Sequence, residues 1–452
     1  MKIITRENFS DICRPVFSTT VYTTMTWLLK AWAVIFLLEW TLVSGLVRNS
    51  GQYLQNTLVL DPDTLITDEV GEKEFRHEVN PDVNLTALEL IEKYGYPAES
   101  HTVTTKDGYI LTLHRIPHGK NASSGPRPVA FVQHGFFSSS VDWLFNRVDK
   151  AIPYMLADRG YDVWLGNARG NTYSRRHVKL SPEKSKFWQF SYDEMGLYDL
   201  PAVIDYVLNT TKQPDMYYIG HSMGAGMFFV CMSSYPEYNH KIRFMAAMGP
   251  AVYLNNMRGP ARYLAPLASL EKVILDLLGH GEILPEYIVK YINTYAPEFC
   301  TPEMKLQELC ENFVFLLAGF DPAQTNTTEL PVILAHTPTT SSTKTLIHFL
   351  QAISSGKFRK YDFGSFRNKF IYGQWTPPKY DLSKVKVPVA LYHAPNDMLV
   401  DTKDVARLAK DLPNLVGSYE VNLTQFNHID FIYAIDVDVL VNKPLLELMT
   451  KY

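Results

Sequence analysis

The sequence predicts an α/β fold with a mostly parallel central sheet, helices on both faces and a helical insertion late in the chain. Short apolar runs that end in glycine or a polar turn, "RPVAFVQHG", "GYDVWLGN" and "DMYYIGHS", alternate with helical patterns such as "SYDEMGLYDLPAVIDYVLN". Because these runs are apolar on both faces, they predict buried parallel strands. "IRFMAAMGPA" continues the series, and "VPVALYHAPND" and "GSYEVNL" resume it after a long helical interval.

The bulk composition is that of a globular protein with a large core. The chain has 452 residues, of which 46% are hydrophobic and 20% are charged, and its formal net charge is −4. No block of lysine and arginine stands out, which argues against nucleic acid as a partner. No Cys/His cluster has the spacing of metal ligands, so no metal site is predicted.

The N-terminal segment has the features of a secretory signal. The most apolar window, "TWLLKAWAVIFLLEWTLVSGLV", is interrupted by Lys30 and Glu39, and a charge near the centre of a membrane span is unfavourable. The uninterrupted stretch, residues 31–38, suits the apolar region of a signal peptide, and Ser44 and Gly45 offer a cleavage point. Cleavage is favoured, and an uncleaved signal anchor is the alternative.

Two further features are consistent with the secretory pathway. Cys300 and Cys310 are close enough in sequence to close a short disulfide loop, although two reduced thiols on a helix are the alternative. Cys231 is expected to be a small buried apolar residue. The glycosylation candidates are the asparagines of five Asn-x-Ser/Thr sequons, at Asn84, Asn121, Asn209, Asn326 and Asn422.

The patterns divide the chain into five segments. They are residues 1–50, a signal or anchor segment; 51–79, an acidic extended segment; 80–251, the first part of the core; 252–384, a helical cap; and 385–452, the second part of the core. The core begins with "SHTVTTKDGYILTLHRI", whose alternation on both sides of Asp107–Gly108 predicts a β-hairpin.

The cap contains one strongly periodic stretch. In "YLAPLASLEKVILDLLGHG", apolar residues recur at helical spacing from Tyr263 to Leu277, and Gly279 offers a helix end. The periodicity favours a helix that packs the cap against the core. A mobile lid that meets lipid is the alternative.

The stretch "MYYIGHSMGAGMFF" predicts a nucleophile elbow. Ser222 lies between Gly220 and Gly224, after an apolar strand and before a helical pattern. At such a junction the serine adopts a strained conformation, and side chains at the flanking positions would collide with the neighbouring strand and helix. A glycine-rich turn that happens to contain serine is the alternative, but the strand and helix on either side favour a nucleophile.

A serine nucleophile needs a base and an orienting acid, and in this class of fold they follow in the order serine, acid, histidine. Asp397, after the strand in "LYHAPNDMLVD", is the first candidate for the acid, and Asp401 is the second. His428, in "NLTQFNHIDFI", is the candidate base. Asp430 is too near His428 in sequence to be the first choice of acid, and it could cap the last helix.

The oxyanion formed during acyl transfer needs preorganised N–H donors. One is expected from Met223, directly after the nucleophile, and the other from Phe136, in the loop after the third strand. His134 and Gly135 precede that loop, and we expect His134 to shape the turn rather than to catalyse. The predicted chemistry requires no cofactor.

The chain resembles the acid lipases, the family of gastric lipase and lysosomal acid lipase. The matching segments run in order from residue 80 to the last helix: "GYPAESHTVTTKDGYILTLHRIPHGK", "FVQHGFFSSSVDW", "LADRGYDVWLGNARGNTYSRRH", "FWQFSYDEMGLYDLPAVIDY", "GHSMG", "ELCENFVFLLAGFD", "NDMLVD" and "NHIDFI". The resemblance implies an α/β-hydrolase core with a helical cap and hydrolysis of neutral lipid esters.

The resemblance also implies roles for single residues. It assigns the nucleophile to Ser222, the acid to Asp397 and the base to His428. The oxyanion donors that it implies are Phe136 and Met223, and the family's cap disulfide falls on Cys300–Cys310. The chain departs from the family pattern in two places: Met223 replaces the usual glutamine, and the cysteine pair is one residue further apart.

The sequence therefore predicts a lipase that acts on triacylglycerol or sterol esters through an acyl-enzyme. We expect a monomer that touches a membrane or lipid-droplet surface transiently and is secreted or lysosomal. One alternative is a carboxylesterase for small soluble esters with the same three residues. The other is a catalytically silent lipid-binding protein, which is disfavoured because all three residues are present.

Overall fold

A computed structural model describes residues 80–121, 125–270, 281–302 and 307–452. The predicted signal segment and acidic segment lie outside these residues, as does the part of the periodic cap stretch beyond residue 270. Within the described residues, no helix has the length and apolar character needed to cross a membrane.

The predicted central sheet is present. Its strands in the described residues are β1 (Glu99–Thr104), β2 (Tyr109–Ile116), β3 (Val129–Gln133), β4 (Asp162–Leu165), β5 (Arg176–His177), β6 (Met216–His221), β7 (Ile242–Met248), β10 (Val389–His393) and β11 (Leu415–Glu420). Their spatial order is β1-β2-β4-β3-β6-β7-β10-β11, with β5 paired to β2. Neighbours from β4 to β11 run parallel, whereas β2 is antiparallel to β1, β4 and β5.

Helices connect and cover these strands. Those of the core are α1 (Ala87–Lys93), α2 (Ile152–Asp158), α3 (Tyr192–Glu194), α4 (Leu200–Thr211), α5 (Met223–Ser234), α12 (Thr402–Asp411), α13 (Asp430–Tyr433) and α14 (Lys443–Met449). Those between β7 and β10 are α6 (Ala261–Leu264), α7 (Glu286–Phe299), α8 (Gln307–Ala318), α9 (Leu330–His336), α10 (Thr343–Ser355) and α11 (Ser365–Tyr372). The described part of the interval predicted to be a helical cap thus contains these helices, their connecting loops and an antiparallel pair of two-residue strands, β8 (Glu282–Ile283) and β9 (Ser341–Ser342).

The core consists of two apolar layers, one on each face of the sheet. Alternate residues of a strand enter different layers: Phe131 of β3 packs in the layer that contains α5, and Val132 packs in the layer that contains α2. The inner strands are buried on both faces for this reason, whereas the edge strands β1 and β11 retain exposed positions. The predicted three-layer arrangement is confirmed.

The predicted hairpin is also confirmed. β1 and β2 pair in antiparallel register from Glu99 opposite Arg115 to Thr104 opposite Ile110. The turn between them is closed by a hydrogen bond of 2.9 Å from the amide of Gly108 to the carbonyl of Thr105.

Three details differ from the predictions. The last strand begins two residues before "GSYEVNL" and ends at Glu420. The next residue, Val421, still donates its amide to the carbonyl of His393 in β10. The helix predicted in "SYDEMGLYDLPAVIDYVLN" is interrupted by a π-helical turn over Met195–Asp199. Tyr263 of the periodic cap stretch is 81% exposed and does not pack on the core, whereas Ala265 is buried.

Candidate active site

The turn between β6 and α5 holds Ser222 in a strained conformation. The serine has φ 52° and ψ −115°, a region that costs a non-glycine residue about 1–3 kcal/mol. A Cβ at Gly224 would lie 2.5 Å from the carbonyl oxygen of Gln133. A Cβ at Gly220 would lie 2.9 Å from the amide nitrogen of Ala225. Close approach to β3 and to the helix therefore excludes side chains on both sides of the half-buried serine.

His428 and Asp397 form a buried hydrogen-bonded pair. The Nδ1 atom of His428 lies 2.7 Å from Oδ2 of Asp397, and both side chains are almost completely buried. The other carboxylate oxygen, Oδ1, accepts hydrogen bonds from the amides of Leu399 at 2.8 Å and Val400 at 2.7 Å. These three donors fix the orientation of the carboxylate and, through it, that of the imidazole.

The turn that holds Ser222, here called the serine turn, is in direct contact with the loop that carries Asn427 and His428, here called the histidine loop. The amide of Ser222 donates to the carbonyl of Met248 at 2.9 Å. The next residue, Gly249, lies against the histidine, since a Cβ there would be 3.1 Å from the ring of His428. On the other side, Nε2 of His221 donates to the carbonyl of His428 at 2.9 Å. The fold thus brings together residues that are about two hundred positions apart.

Both predicted oxyanion donors adjoin Ser222. Met223 is the first residue of α5, and the first amides of a helix have no partner within it. Phe136 follows Gly135, and a Cβ at Gly135 would lie 3.2 Å from Cβ of Ser222. The loop after β3 and the start of α5 therefore border the same space next to the serine.

The loop after β3 is fixed from both sides. His134 is buried, its Nε2 accepts the amide of Ala168 at 3.0 Å, and its Nδ1 donates to the carbonyl of Gly135 at 2.7 Å. Burial lowers the pKa of His134 to about 4, which keeps the ring neutral. On the cap side, the amide of Thr339 donates to the carbonyl of Phe137 at 2.8 Å.

The end of α8 is hydrogen-bonded both to the loop after β10 that carries Asp397 and to the histidine loop. The carbonyl of Ala318 accepts the amide of Met398 at 3.2 Å and that of His428 at 3.5 Å. The next carbonyl, of Gly319, accepts Nδ2 of Asn427 at 3.0 Å. The chain at the end of α8 therefore contacts both loops through its backbone carbonyls.

A second pair of carboxyl groups lies beside this turn. Asp321 and Asp430 are buried next to each other, and Oδ2 of Asp430 accepts the amide of Asn427 at 2.7 Å. Burial, reinforced by the neighbouring carboxyl of Asp321, raises the pKa of Asp430 to about 8. The prediction that Asp430 caps the last helix is wrong, because Asp430 begins α13 and its carboxylate closes the histidine loop instead.

The second candidate for the acid lies elsewhere. Asp401 is the N-cap of α12, where its Oδ1 accepts the amide of Lys403 at 2.9 Å, and its Oδ2 lies 3.4 Å from Nε of Arg258. Asp397, and not Asp401, is therefore the carboxylate that bonds to His428.

Sequence reasoning missed three residues of the site. His221, Gly249 and Asp321 all contact the histidine loop or its neighbours. His221 had a local signal, since it is a polar residue at the end of an otherwise apolar strand. Gly249 and Asp321 had none that a single sequence can reveal, because their partners are distant in the chain.

Two of the cysteines are bridged, and most of the sequon asparagines lie at the surface. Cys300 and Cys310 form a disulfide between the end of α7 and the first turns of α8, with their Cα atoms 6.0 Å apart. Cys231 is a buried free thiol. Four of the sequon asparagines are exposed, and Asn326 is half-buried.

Comparison with known proteins identifies the fold family. A family model described as a partial alpha/beta-hydrolase lipase region matches residues 87–147. A second model, described as the alpha/beta hydrolase fold, matches residues 128–272. The two matches cover β1 to β7, including the turn at Ser222.

Three relatives show the degree of similarity. Lipase 3 of Drosophila melanogaster is 42% identical to this chain, over 80% of the chain and 92% of the relative. Gastric triacylglycerol lipase of Mus musculus is 40% identical, over 82% of the chain and 93% of the relative. Lysosomal acid lipase/cholesteryl ester hydrolase of Homo sapiens is 39% identical, over 83% of the chain and 93% of the relative. With this identity over nearly the whole length of each relative, the chain is a member of the acid lipase family of α/β-hydrolases.

Proposed function

We propose that this chain is a lipase that hydrolyses carboxylic ester bonds of neutral lipids through a serine acyl-enzyme. The observation that carries the proposal is the 2.7 Å hydrogen bond between His428 and Asp397 beside the strained Ser222. Because Asp397 occupies Nδ1 of the imidazole, Nε2 is the atom available to act as a base. Serine, imidazole and carboxylate in this order are the arrangement that acyl transfer requires.

In the proposed first step, Oγ of Ser222 attacks the ester carbonyl carbon while Nε2 of His428 takes the hydroxyl proton. The amides of Phe136 and Met223 stabilise the oxyanion of the tetrahedral intermediate. His428 then donates the proton to the departing alkoxide, and the acyl group stays on Ser222. Asp397 stabilises the imidazolium during both transfers.

In the second step, water replaces the alcohol. His428 takes a proton from the water, which attacks the acyl-enzyme carbonyl, and the protonated imidazole returns the proton to Oγ of Ser222. The products are a fatty acid and the regenerated serine. The side chain of Met223 is buried in the core, so the substitution of methionine for the family's glutamine leaves the backbone donor in place.

The relatives support neutral lipids as the substrate class. Their names include a triacylglycerol lipase and a cholesteryl ester hydrolase, and we propose that this chain acts on one or both of these ester types. The same names, together with the predicted signal segment and the disulfide, support entry into the secretory pathway. Within it, the lysosome and the extracellular space are the two destinations that we propose.

The test is hydrolysis of emulsified triolein and cholesteryl oleate across a pH series by wild type and by Ser222→Ala. We expect the variant to lose about 10⁶-fold in kcat, the scale of loss on removal of a serine nucleophile. Ser233→Ala, on the same helix, is the matched control, because that hydroxyl donates to the carbonyl of Phe229 and should be dispensable. A phosphonate that labels active serines should modify Ser222 alone.

The same assay separates a lipase from a carboxylesterase. A lipase turns over emulsified ester faster than the same ester below its solubility limit. Equal turnover of monomeric and emulsified substrate would leave the serine chemistry intact but would contradict the proposed substrate class. Absence of a phosphonate adduct in folded wild-type protein would contradict the chemistry itself.

A further inference from the structure

Helix α11 presents an apolar surface to solvent. Phe366 is 85% exposed, Phe370 is 92% exposed, Ile371 is 47% exposed and Trp375 is 55% exposed. Phe366 and Phe370 are four residues apart and share one side of the helix. The rings of Phe366 and Trp375 pack edge to face with their centroids 5.9 Å apart. We call these four residues the α11 surface. Contiguous exposed apolar groups of this kind mark interaction sites.

The helix is turned with a polar residue inward and its phenylalanines outward. Asn368 is 1% exposed, and its Oδ1 accepts the amide of Phe363 at 3.0 Å. Its Nδ2 donates to Oδ1 of Asp362 at 2.7 Å and to the carbonyl of Trp375 at 3.2 Å. These bonds hold the segments before and after the helix. An ordinary surface helix buries its apolar side, whereas α11 buries the amide of Asn368 and leaves Phe366 and Phe370 exposed.

The segment that carries the α11 surface has a positive net charge. Residues 357–379 contain six basic residues and one acidic residue, whereas the whole chain has a net charge of −4. The basic residues are Lys357, Arg359, Lys360, Arg367, Lys369 and Lys379. They are spread through the segment, so no contiguous block reveals them in the sequence. Arg367 and Lys369 are exposed, and Nζ of Lys369 lies 5.9 Å from the centroid of the Trp375 ring.

We propose that the α11 surface docks this protein on a phospholipid layer that carries anionic headgroups. Exposed phenylalanine and tryptophan interspersed with lysine and arginine is the composition that binds in the plane of such an interface. Phe366 and Phe370 enter the acyl region, and Arg367 and Lys369 contact the headgroups. The assignment does not rest on the proposed hydrolysis, because docking requires neither Ser222 nor turnover.

Another exposed aromatic set provides an internal contrast. Tyr287 and Tyr291 lie one turn apart on α7 and are 74% and 67% exposed. The charged residues of that helix are Glu286, Lys290 and Glu298, which give no positive excess. The α7 pair therefore has exposure without the charge complementarity, and it serves as the matched control.

The test measures sedimentation of the full chain carrying Ser222→Ala with phosphatidylcholine vesicles, with and without phosphatidylserine. The added pair Phe366→Ala and Phe370→Ala should lower the partition coefficient by roughly tenfold or more, the effect of removing two buried aromatic rings. Arg367→Gln with Lys369→Gln should lower it by roughly tenfold on vesicles that contain phosphatidylserine and much less on the others. Unchanged melting temperatures verify that the variants are folded.

Tyr287→Ala with Tyr291→Ala should bind like the parent protein. The proposal is overturned if the parent does not bind the anionic vesicles, if the phenylalanine pair is dispensable, or if the tyrosine pair causes an equal loss. It is also overturned if light scattering shows a dimer that the phenylalanine substitutions convert to a monomer, because the surface would then belong to a second copy of the chain. Hydrolysis by the Ser222-intact protein is measured separately, so failure of docking and failure of the proposed catalysis are distinguishable.

Discussion

The histidine loop lies between two buried carboxyl systems that differ in their hydrogen bonding. On one side, Asp397 receives two amide hydrogen bonds and one from His428. On the other side, Asp321 has no well-aligned amide donor, although the amides of residues 323 and 324 approach it and its side chain interacts with that of Asp430. Its neighbour is a second carboxyl, that of Asp430.

The difference shows how buried aspartates come to have different charge states. Donors directed at a buried carboxylate stabilise its charge, so Asp397 can orient an imidazole and stabilise the imidazolium. Two adjacent carboxyls without enough donors favour a shared proton, because both charges together would be too unfavourable away from water. The first arrangement suits the proposed chemistry, and we expect the second to make the stability of the fold depend on pH.

The largest expected effect follows from breaking the first system. Asp397→Asn keeps the shape of the side chain but removes the charge that holds the imidazole in its working tautomer. We expect kcat on a soluble ester to fall about 10⁴-fold with little change in melting temperature. Asp401→Asn is the matched control, because its carboxylate caps α12, and its kcat should stay within a few-fold of wild type. Comparable losses in the two variants would contradict the assignment of Asp397.

A smaller loss of kcat is expected when a new side chain contacts His428 and Asp397 without replacing either residue. In Gly249→Ala the new Cβ would be 3.1 Å from the ring of His428 and 3.5 Å from Oδ2 of Asp397. A small displacement of a catalytic group can cost about 10²-fold, so we expect kcat to fall by up to that factor. Gly160→Ala introduces a similar backbone penalty at φ +88° with no atom nearby, and it should leave kcat unchanged. Normal kcat in Gly249→Ala would show that the ring tolerates the contact.

The smallest expected effect concerns the Asp321–Asp430 pair and is measured as a change in melting temperature. The pKa of Asp430 is raised to about 8 in the folded state, against an unfolded value of about 3.9. Its contribution to folding is therefore complete below about pH 4 and is lost as the pH rises towards 8. In Asp430→Asn a permanent N–H replaces the shared proton. The melting temperature of the variant minus that of wild type should therefore increase by a few degrees between pH 4 and pH 8.

The difference between the two proteins removes the titration of groups that do not contact the pair, whereas the titration of Asp321 is part of the effect measured. Asp149→Asn, at an exposed carboxylate, should show no such trend. A flat difference for Asp430→Asn would mean that the Asp321–Asp430 pair does not hold a proton above the ordinary range of aspartate.

Much of the fold was predictable because its signals are local. The buried strands are continuous apolar runs, and the hairpin follows from an Asp-Gly turn between alternating segments. The serine turn could be recognised because close backbone approach allows only glycine at Gly220 and Gly224. The departures from prediction, such as the early start of β11 and the exposure of Tyr263, depend on tertiary contacts, and the periodicity of the sequence carries no information about these.

The sequence by itself determined the order of the elements, the strained serine and the candidate acid and base, because strand periodicity and glycine sterics act between near neighbours. Only the tertiary structure decided that Asp397 rather than Asp401 meets His428, that Asp321 lies against Asp430, and that α11 turns its phenylalanines to solvent. The physical reason is that the charge state of a buried carboxyl and the outward face of a helix are set by groups that folding brings from elsewhere in the chain.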